Sequence, residues 1–290
     1  MSSGGRVRVV GYFSFDRIEA AGRAHDDVPG GAALYSALAA CAEGAAVTLS
    51  AVAGSDWPQA WLDALAARGI DMSAVARGGA PTRRARFAGV EDGPRVNVHH
   101  DESEWWARTA ALAPEAPADL APADVVAAMP VPTRIVDAVL VRARACGARV
   151  TMDGSAAFAR ADGGALRALV PRVEVFCAGP EETRALFPGL DDDAAALAIA
   201  RLGPAVLHKR GSKGALAIAT GGGEARALPA PRADVRETTG AGDATTGALA
   251  AGLAAGLPFF AAAERALAAG ARCVTGIGPA AFDFPPETPR

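Results

Sequence analysis

Short β-branched runs alternate along this chain with alanine-rich stretches that stop at glycine, and this alternation limits the fold more than any other feature. Arg6–Val10 is such a run and ends at Gly11. Gly30 and Gly31 then open an alanine-rich helix that reaches about Glu43, where Gly44 is a natural stop. Residues 47–52 form a second strand, and residues 57–68 a second helix ended by Gly69. The same rhythm returns later, with strands at 149–152, 173–177, 205–208 and 216–219 and helical stretches between most of them. Two final helices, about 241–255 and 259–274, meet at Gly256-Leu257-Pro258. Strands separated by helices bury their apolar faces best in a parallel sheet covered on both sides. The expected architecture is one doubly wound α/β domain over residues 1–290.

The middle of the chain differs. Between Thr82 and His100, the residues Arg83, Arg84, Arg86, Arg95 and Asn97 alternate with apolar ones, and Gly93-Pro94 splits the run into two strands. A hairpin with one wet face fits this pattern, and it would form a small β lid over 82–100. Residues 111–124, rich in Ala and Pro, form a connection. A chain of 290 residues buries about three quarters of its unfolded surface, so it needs neither disulfides nor a structural metal. Cys41, Cys146, Cys177 and Cys273 lie far apart in apolar stretches and form no C-x-x-C pair, as expected of buried free thiols in a reducing cytosol.

Charge and targeting narrow the class further. The 29 basic and 32 acidic residues leave a net charge of -3, without the basic excess that neutralises a nucleic-acid backbone. Residues 1–10 lack the apolar run of a signal peptide, so a cytoplasmic protein is expected. Residues 244–263 carry no charge over a length that could span a bilayer, but Gly256 and Pro258 interrupt them and no basic cluster flanks them. A buried globular helix is expected there, and no membrane partner.

The most informative run is Glu237-Thr238-Thr239-Gly240-Ala241-Gly242-Asp243, directly before that uncharged helix. Glycines at a helix start let backbone N–H groups approach a phosphate, and the helix dipole adds partial positive charge. An aspartate in the same turn would repel a bound phosphate if it were only a cap. It makes sense as a base that takes the proton from an attacking hydroxyl while the amides hold the transferring group. The chain has no G-x-x-x-x-G-K-[ST], and Gly240-Ala241-Gly242 lacks the third glycine and the early position of a dinucleotide fingerprint. A P-loop ATPase and a nicotinamide-dependent oxidoreductase are thereby disfavoured.

Thr238 to Asp243, continuing to Gly247-Ala248-Leu249, resembles the C-terminal signature of the ribokinase (PfkB) family of carbohydrate and nucleoside kinases. Further elements of the family pattern stand in order along nearly the whole chain. Gly30-Gly31 is similar to its N-terminal Gly-Gly element, Gly54-Ser55-Asp56 to its Gly-x-Asp turn, and Gly211-Ser212-Lys213-Gly214 to its Gly-x-x-Gly turn. The resemblance implies a ribokinase-like fold and ATP-dependent phosphorylation of a hydroxyl on a small sugar or polyol, with Mg2+ on the phosphates. A nucleoside acceptor, or a non-catalytic ligand-binding homologue, are the alternatives. Asp243 would be the base and Gly240, Ala241 and Gly242 the anion hole. Asp16, Gly30, Gly31 and Tyr35 would meet the acceptor, and Lys209, Gly211, Gly214, Thr238 and Thr239 the nucleotide. A lid that closes over the acceptor, and a homodimer through that lid, are further implications.

The chain departs from the family pattern at two positions. Gly179-Pro180-Glu181-Glu182 stands where the family has Asn-x-x-Glu, so Glu182 is left to organise the metal through water. Glu237 replaces the more usual aspartate beside a monovalent-cation site, which leaves potassium use open. His99-His100-Asp101-Glu102 is not expected to bind metal, because neighbouring residues on a strand face opposite sides. Phe13, Phe15 and Tyr35 could offer an aromatic slot to a nucleobase, whereas Trp57, Trp61, Trp105 and Trp106 are expected to pack.

Overall fold

The structure is a computed structural model that describes residues 4–285 apart from 21, 89–95, 98–101 and 123. From the N-terminus come β1 (Arg6–Val10), β2 (Ser14–Ala20), β3 (Arg23–Gly30), α1 (Ala32–Ala42), β4 (Ala46–Ala53), α2 (Gln59–Ala66) and β5 (Val75–Arg77). Next are β6 (Arg83–Ala88), β7 (Val96–Asn97), α3 (Glu102–Ala111), β8 (Asp124–Ala128), α4 (Thr133–Cys146), β9 (Arg149–Asp153), α5 (Ala156–Leu169) and β10 (Val175–Ala178). The chain closes with α6 (Pro180–Leu186), α7 (Asp192–Ala200), β11 (Ala205–Lys209), β12 (Ala215–Ile218), β13 (Ala225–Leu228), α8 (Ala241–Ala254) and α9 (Phe259–Cys273).

Nine strands form the main sheet in the order β13-β12-β11-β10-β9-β8-β1-β4-β5. Neighbours from β11 through β5 run parallel, and only β12 and β13 are antiparallel. Both faces are covered, and the strand residues alternate between them as a period of two requires. Val7, Val9, Val125, Ala127, Val175 and Cys177 join one cluster with α1, α2, α8 and α9. Val10, Val126, Ala128, Phe176 and Val206 join the other with α4, α5, α6 and α7. The doubly wound expectation is therefore met.

α8 lies against both α1 and α9, and its residues from Ala244 to Leu253 are all buried. Burial on every side explains the missing charge. Among the described residues no helix is long and apolar enough to cross a membrane.

The second sheet has the order β3-β2-β6-β7. β6 and β7 pair antiparallel, Phe87 opposite Asn97, as the hairpin reading expects, while the Gly93-Pro94 turn lies outside the described residues. The larger share of this sheet comes from β2 and β3, however, and not from 82–100. β2 and β3 are poor in regular alternation, with Arg17, Arg23, His25, Asp26 and Asp27 interspersed, and Pro29 sits in the edge strand where no partner needs its N–H. The connection read at 111–124 ends in β8, a wholly buried strand that alternation does not mark. Cys177 and Cys273 are buried free thiols as expected; Cys41 and Cys146 are only half-buried, because each sits near a helix end.

Candidate active site

Chain direction in the parallel sheet gathers the chemistry at one end. β1 leads into Gly11 and Tyr12, β9 ends in Asp153, β10 leads into Gly179, and β11 ends in Lys209. The carboxyl ends of parallel strands are where open α/β sheets bind ligands.

α8 begins here. Gly240 is its N-cap in the left-handed region, with φ 78°, and a Cβ at that position would lie 2.3 Å from the Tyr35 ring. Glycine is thus required twice, by the backbone angle and by the ring beneath it. Ala241, Gly242 and Asp243 form the first turn, and the Ala241 N–H donates to the Thr238 carbonyl at 3.3 Å. Ser36 of α1 donates a hydrogen bond to the Asp243 carbonyl at 3.2 Å and so ties α1 to this turn. Tyr35, expected at the acceptor, is 1% exposed and packs under Gly240. Its ring supports the anion loop.

The residues expected on the acceptor side lie together. Asp16 lies in β2 and not at the end of β1, and its carboxylate is buried. Ser14 donates to its Oδ1 at 2.7 Å, and a Cβ on Gly30 would lie 2.0 Å from its Oδ2. Only glycine leaves room for that carboxylate. Gly31 follows as the N-cap of α1, the helix whose Ser36 bonds the Asp243 carbonyl.

On the other side, Lys209 is buried against Asp153, with Nζ 2.7 Å from Oδ1 and 2.9 Å from Oδ2. The ammonium also donates to the Gly242 carbonyl and to Thr246 Oγ1, each at 3.3 Å. Thr246 in turn donates to Asp153 Oδ2 at 3.0 Å. Burial raises the Asp153 carboxyl; Lys209 opposes that, while the charges of Asp243 and Glu182 reinforce it. Burial pulls the Lys209 ammonium down, but Asp153, Cys177 and Asp243 together outweigh it and the net direction is up. A lysine held protonated thus sits beneath the α8 turn, beside an Asp153 carboxyl that feels the charges of Asp243 and Glu182.

Glu182 accepts from the Gly179 N–H at 2.8 Å, which caps its own helix α6. Gly211 and Gly214 shape the turn between β11 and β12, closed by the Gly214 N–H donating to the Gly211 carbonyl at 2.9 Å. Thr239 is buried and donates through both N–H and hydroxyl to Glu237 Oε1, while Thr238 is exposed beside it. Phe13 and Phe15 are not a slot for a base, since both are buried in a stack with Trp57 and Trp61 at centroid distances of 4.7 to 5.6 Å. Asp153, Thr246 and Ser36 belong to no motif. The single sequence signal for Asp153 is a carboxylate at the end of a strand whose neighbours carry the chemistry.

The match to known proteins covers nearly all of this frame. The model of the pfkB family carbohydrate kinases matches residues 8–285. The chain belongs to the PfkB family. As a member it is an ATP-dependent phosphotransferase that acts on a hydroxyl group. It is 29% identical over 276 residues to the cytidine kinase of Thermococcus kodakarensis, covering 87% of this chain and 89% of that one. Among solved structures, fructokinase from Vibrio cholerae superimposes with a TM-score of 0.77 at 18% identity, over 97% of this chain and 99% of the other. The nucleoside kinase of Burkholderia thailandensis, solved with inosine, gives a TM-score of 0.73 at 20% identity, over 94% and 92%. At such identities these structures speak for the PfkB fold alone.

Proposed function

We propose that this site transfers the γ-phosphoryl group of ATP to a hydroxyl of a small sugar, polyol or nucleoside, with Asp243 as general base. The carrying observation is Asp243 in the first turn of α8, behind a left-handed Gly240 and above the Lys209 ammonium. In the reaction the acceptor oxygen bonds to the γ-phosphorus and its proton passes to the Asp243 carboxylate. The bond to the bridging oxygen breaks, and ADP leaves with that electron pair. The N–H groups of the first turn of α8, from Ala241 to Asp243, point the positive end of the helix dipole at the charge on the transferring oxygens. Lys209, fixed by Asp153 and Thr246, adds a positive charge that needs no reorganisation during the transfer.

Asp16, with Gly30 and Gly31, holds acceptor hydroxyls, since a carboxylate accepts paired hydrogen bonds. Gly211, Gly214, Thr238 and Thr239 lie on the nucleotide side. The Asp153 carboxylate feels the charges of Asp243 and Glu182 beside a single ammonium, which fits a divalent cation brought in with the phosphates. No cluster of three or more His, Cys, Asp or Glu among the described residues could hold a metal alone, and Mg2+ characteristically keeps waters and substrate phosphates as ligands. Glu182, through water, with Asp153 would hold it, and it would neutralise phosphate charge.

The sheet of β2, β3, β6 and β7 acts as the lid that excludes water from the phosphoryl group. A second copy would meet this one along β3, the open edge of the lid, and sedimentation at several concentrations tests that dimer. The kinase reading is tested by ADP release from ATP and Mg2+ over a panel of acceptors. ADP release that ignores every added acceptor, with ATP binding intact, would favour a ligand-binding homologue.

A further inference from the structure

Arg83 on β6 is the buried charge that this scheme leaves unused. Parallel pairing sets Ser14 against Arg83 and Asp16 against Ala85, so Arg83 shares a face of the lid sheet with Ser14 and Asp16. The next residue shows the contrast: Arg84 lies on the opposite face over the Phe15 ring, ion-paired to Asp27 and Asp56. Arg83 forms no ion pair among the described residues. It is 8% exposed, its Nε is buried without a hydrogen-bond partner among the described residues, and its one hydrogen bond is a long 3.4 Å contact from Nη1 to Thr109 Oγ1. Leaving a buried guanidinium so poorly matched is costly unless a ligand completes it.

The surroundings define that ligand. The guanidinium lies over the Tyr12 ring at 4.0 Å and over the Trp105 ring at 5.1 Å. Rings cover the face of the guanidinium and leave its N–H edge as the approach, and that edge is a planar row of donors. It matches a flat group with two adjacent acceptors. A half-buried aromatic surface stands beside it, with Trp105 and Trp106 at 4.7 Å and Trp106 and Phe158 at 5.4 Å. A carboxylate would use the donors and not the rings, whereas a nucleobase uses both.

We propose that Arg83 is a specificity-determining residue of the acceptor site, which reads the paired-acceptor edge of a nucleobase beside the Trp105 and Trp106 rings while Asp16 holds the ribose. Cytosine offers O2 and N3, and a 6-oxopurine offers O6 and N7; adenine sets a donor beside its acceptor and fits poorly. This inference rests on the kinase reading and adds the acceptor class to it.

The test measures ADP release with cytidine, inosine, adenosine, ribose, fructose and gluconate, for wild type and Arg83→Lys, alongside tryptophan fluorescence titrations without ATP. Cytidine and inosine should exceed adenosine and the free sugars at least about 10-fold in kcat/KM. Arg83→Lys, which keeps the charge and loses the fork, should raise their KM roughly 10- to 100-fold and leave the KM for ATP unchanged. Cytidine should change the fluorescence of the wild type, and ribose should not; this readout stands even if the variant does not fold. Selective turnover of ribose or fructose, unaltered in Arg83→Lys, would overturn the inference and leave the kinase reading intact. Preference for gluconate would overturn the nucleobase in favour of a carboxylate. Cytidine binding without ADP release would support Arg83 while defeating the kinase reading.

Discussion

Replacing Lys209 by methionine removes the only cation that contacts Asp153 among the described residues. In the wild type both carboxylate oxygens lie within 3 Å of the ammonium, and the two side chains are 16% and 5% exposed. Water therefore offers Asp153 little compensation. Breaking a buried pair by deleting one partner typically costs about 3–5 kcal/mol, and it strands the remaining charge. For a domain of this size that corresponds to a Tm lowered by roughly 5–8 °C. The pH dependence gives the sharper test. With Lys209 gone, burial and the charges of Asp243 and Glu182 remain, and each raises the Asp153 carboxyl. A carboxyl raised above its unfolded value contributes full stability below that unfolded value, and loses it as pH climbs through the folded one. Lys209→Met should therefore be weakest near pH 8 and should recover towards wild type as pH falls to 5, by up to about 1.4 kcal/mol per pH unit. Adding Asp153→Asn should restore stability at pH 8, since no charge is then stranded. Urea titrations of the three proteins at several pH values measure both effects. A difference below about 1 kcal/mol that ignores pH would show that the pair is not the buried ion pair described, and the reasoning would fall.

Asp243→Asn should lose turnover by roughly 10²- to 10⁴-fold, with ATP binding retained, as ADP release and calorimetry would show; near wild-type turnover would remove Asp243 as the base. Asp16→Ala should raise the KM for the acceptor far more than that for ATP, and the reverse would place the site backwards. Gly240→Ala forces a left-handed alanine, costing about 1–2 kcal/mol before its Cβ meets Tyr35, so both Tm and turnover should fall; an unchanged Tm would contradict the contact. Amide exchange in β2 and β6 should slow when acceptor and a non-hydrolysable ATP analogue are both bound, and unaltered exchange would argue against a closing lid.

Much of this protein was legible before any coordinate. The parallel sheet was visible because buried strands and alanine-rich helices announce themselves through local periodicity and glycine stops, as β1, α1 and β4 do. The α8 turn was visible because consecutive residues carry it, from Thr238 to Asp243. The family resemblance set Asp16 and Gly30 together as an expectation, and in the fold a Cβ on Gly30 would fall against the Asp16 carboxylate. The lid strands β2 and β3 were hidden because charged residues interrupt their alternation, and β8 because a strand buried on both faces has none.

Only the tertiary structure could join residues far apart in sequence. Asp153 meets Lys209 across 56 residues, and Arg83 shares a face with Asp16 only because β2 and β6 run parallel in one register. It also decided which aromatics are closed. Phe13, Phe15 and Tyr35 sit in the core, while Trp105 and Trp106 stay half-buried, although composition treats them alike. Spacing along a chain encodes which face of its own element a side chain occupies, and it does not encode what packs against that face.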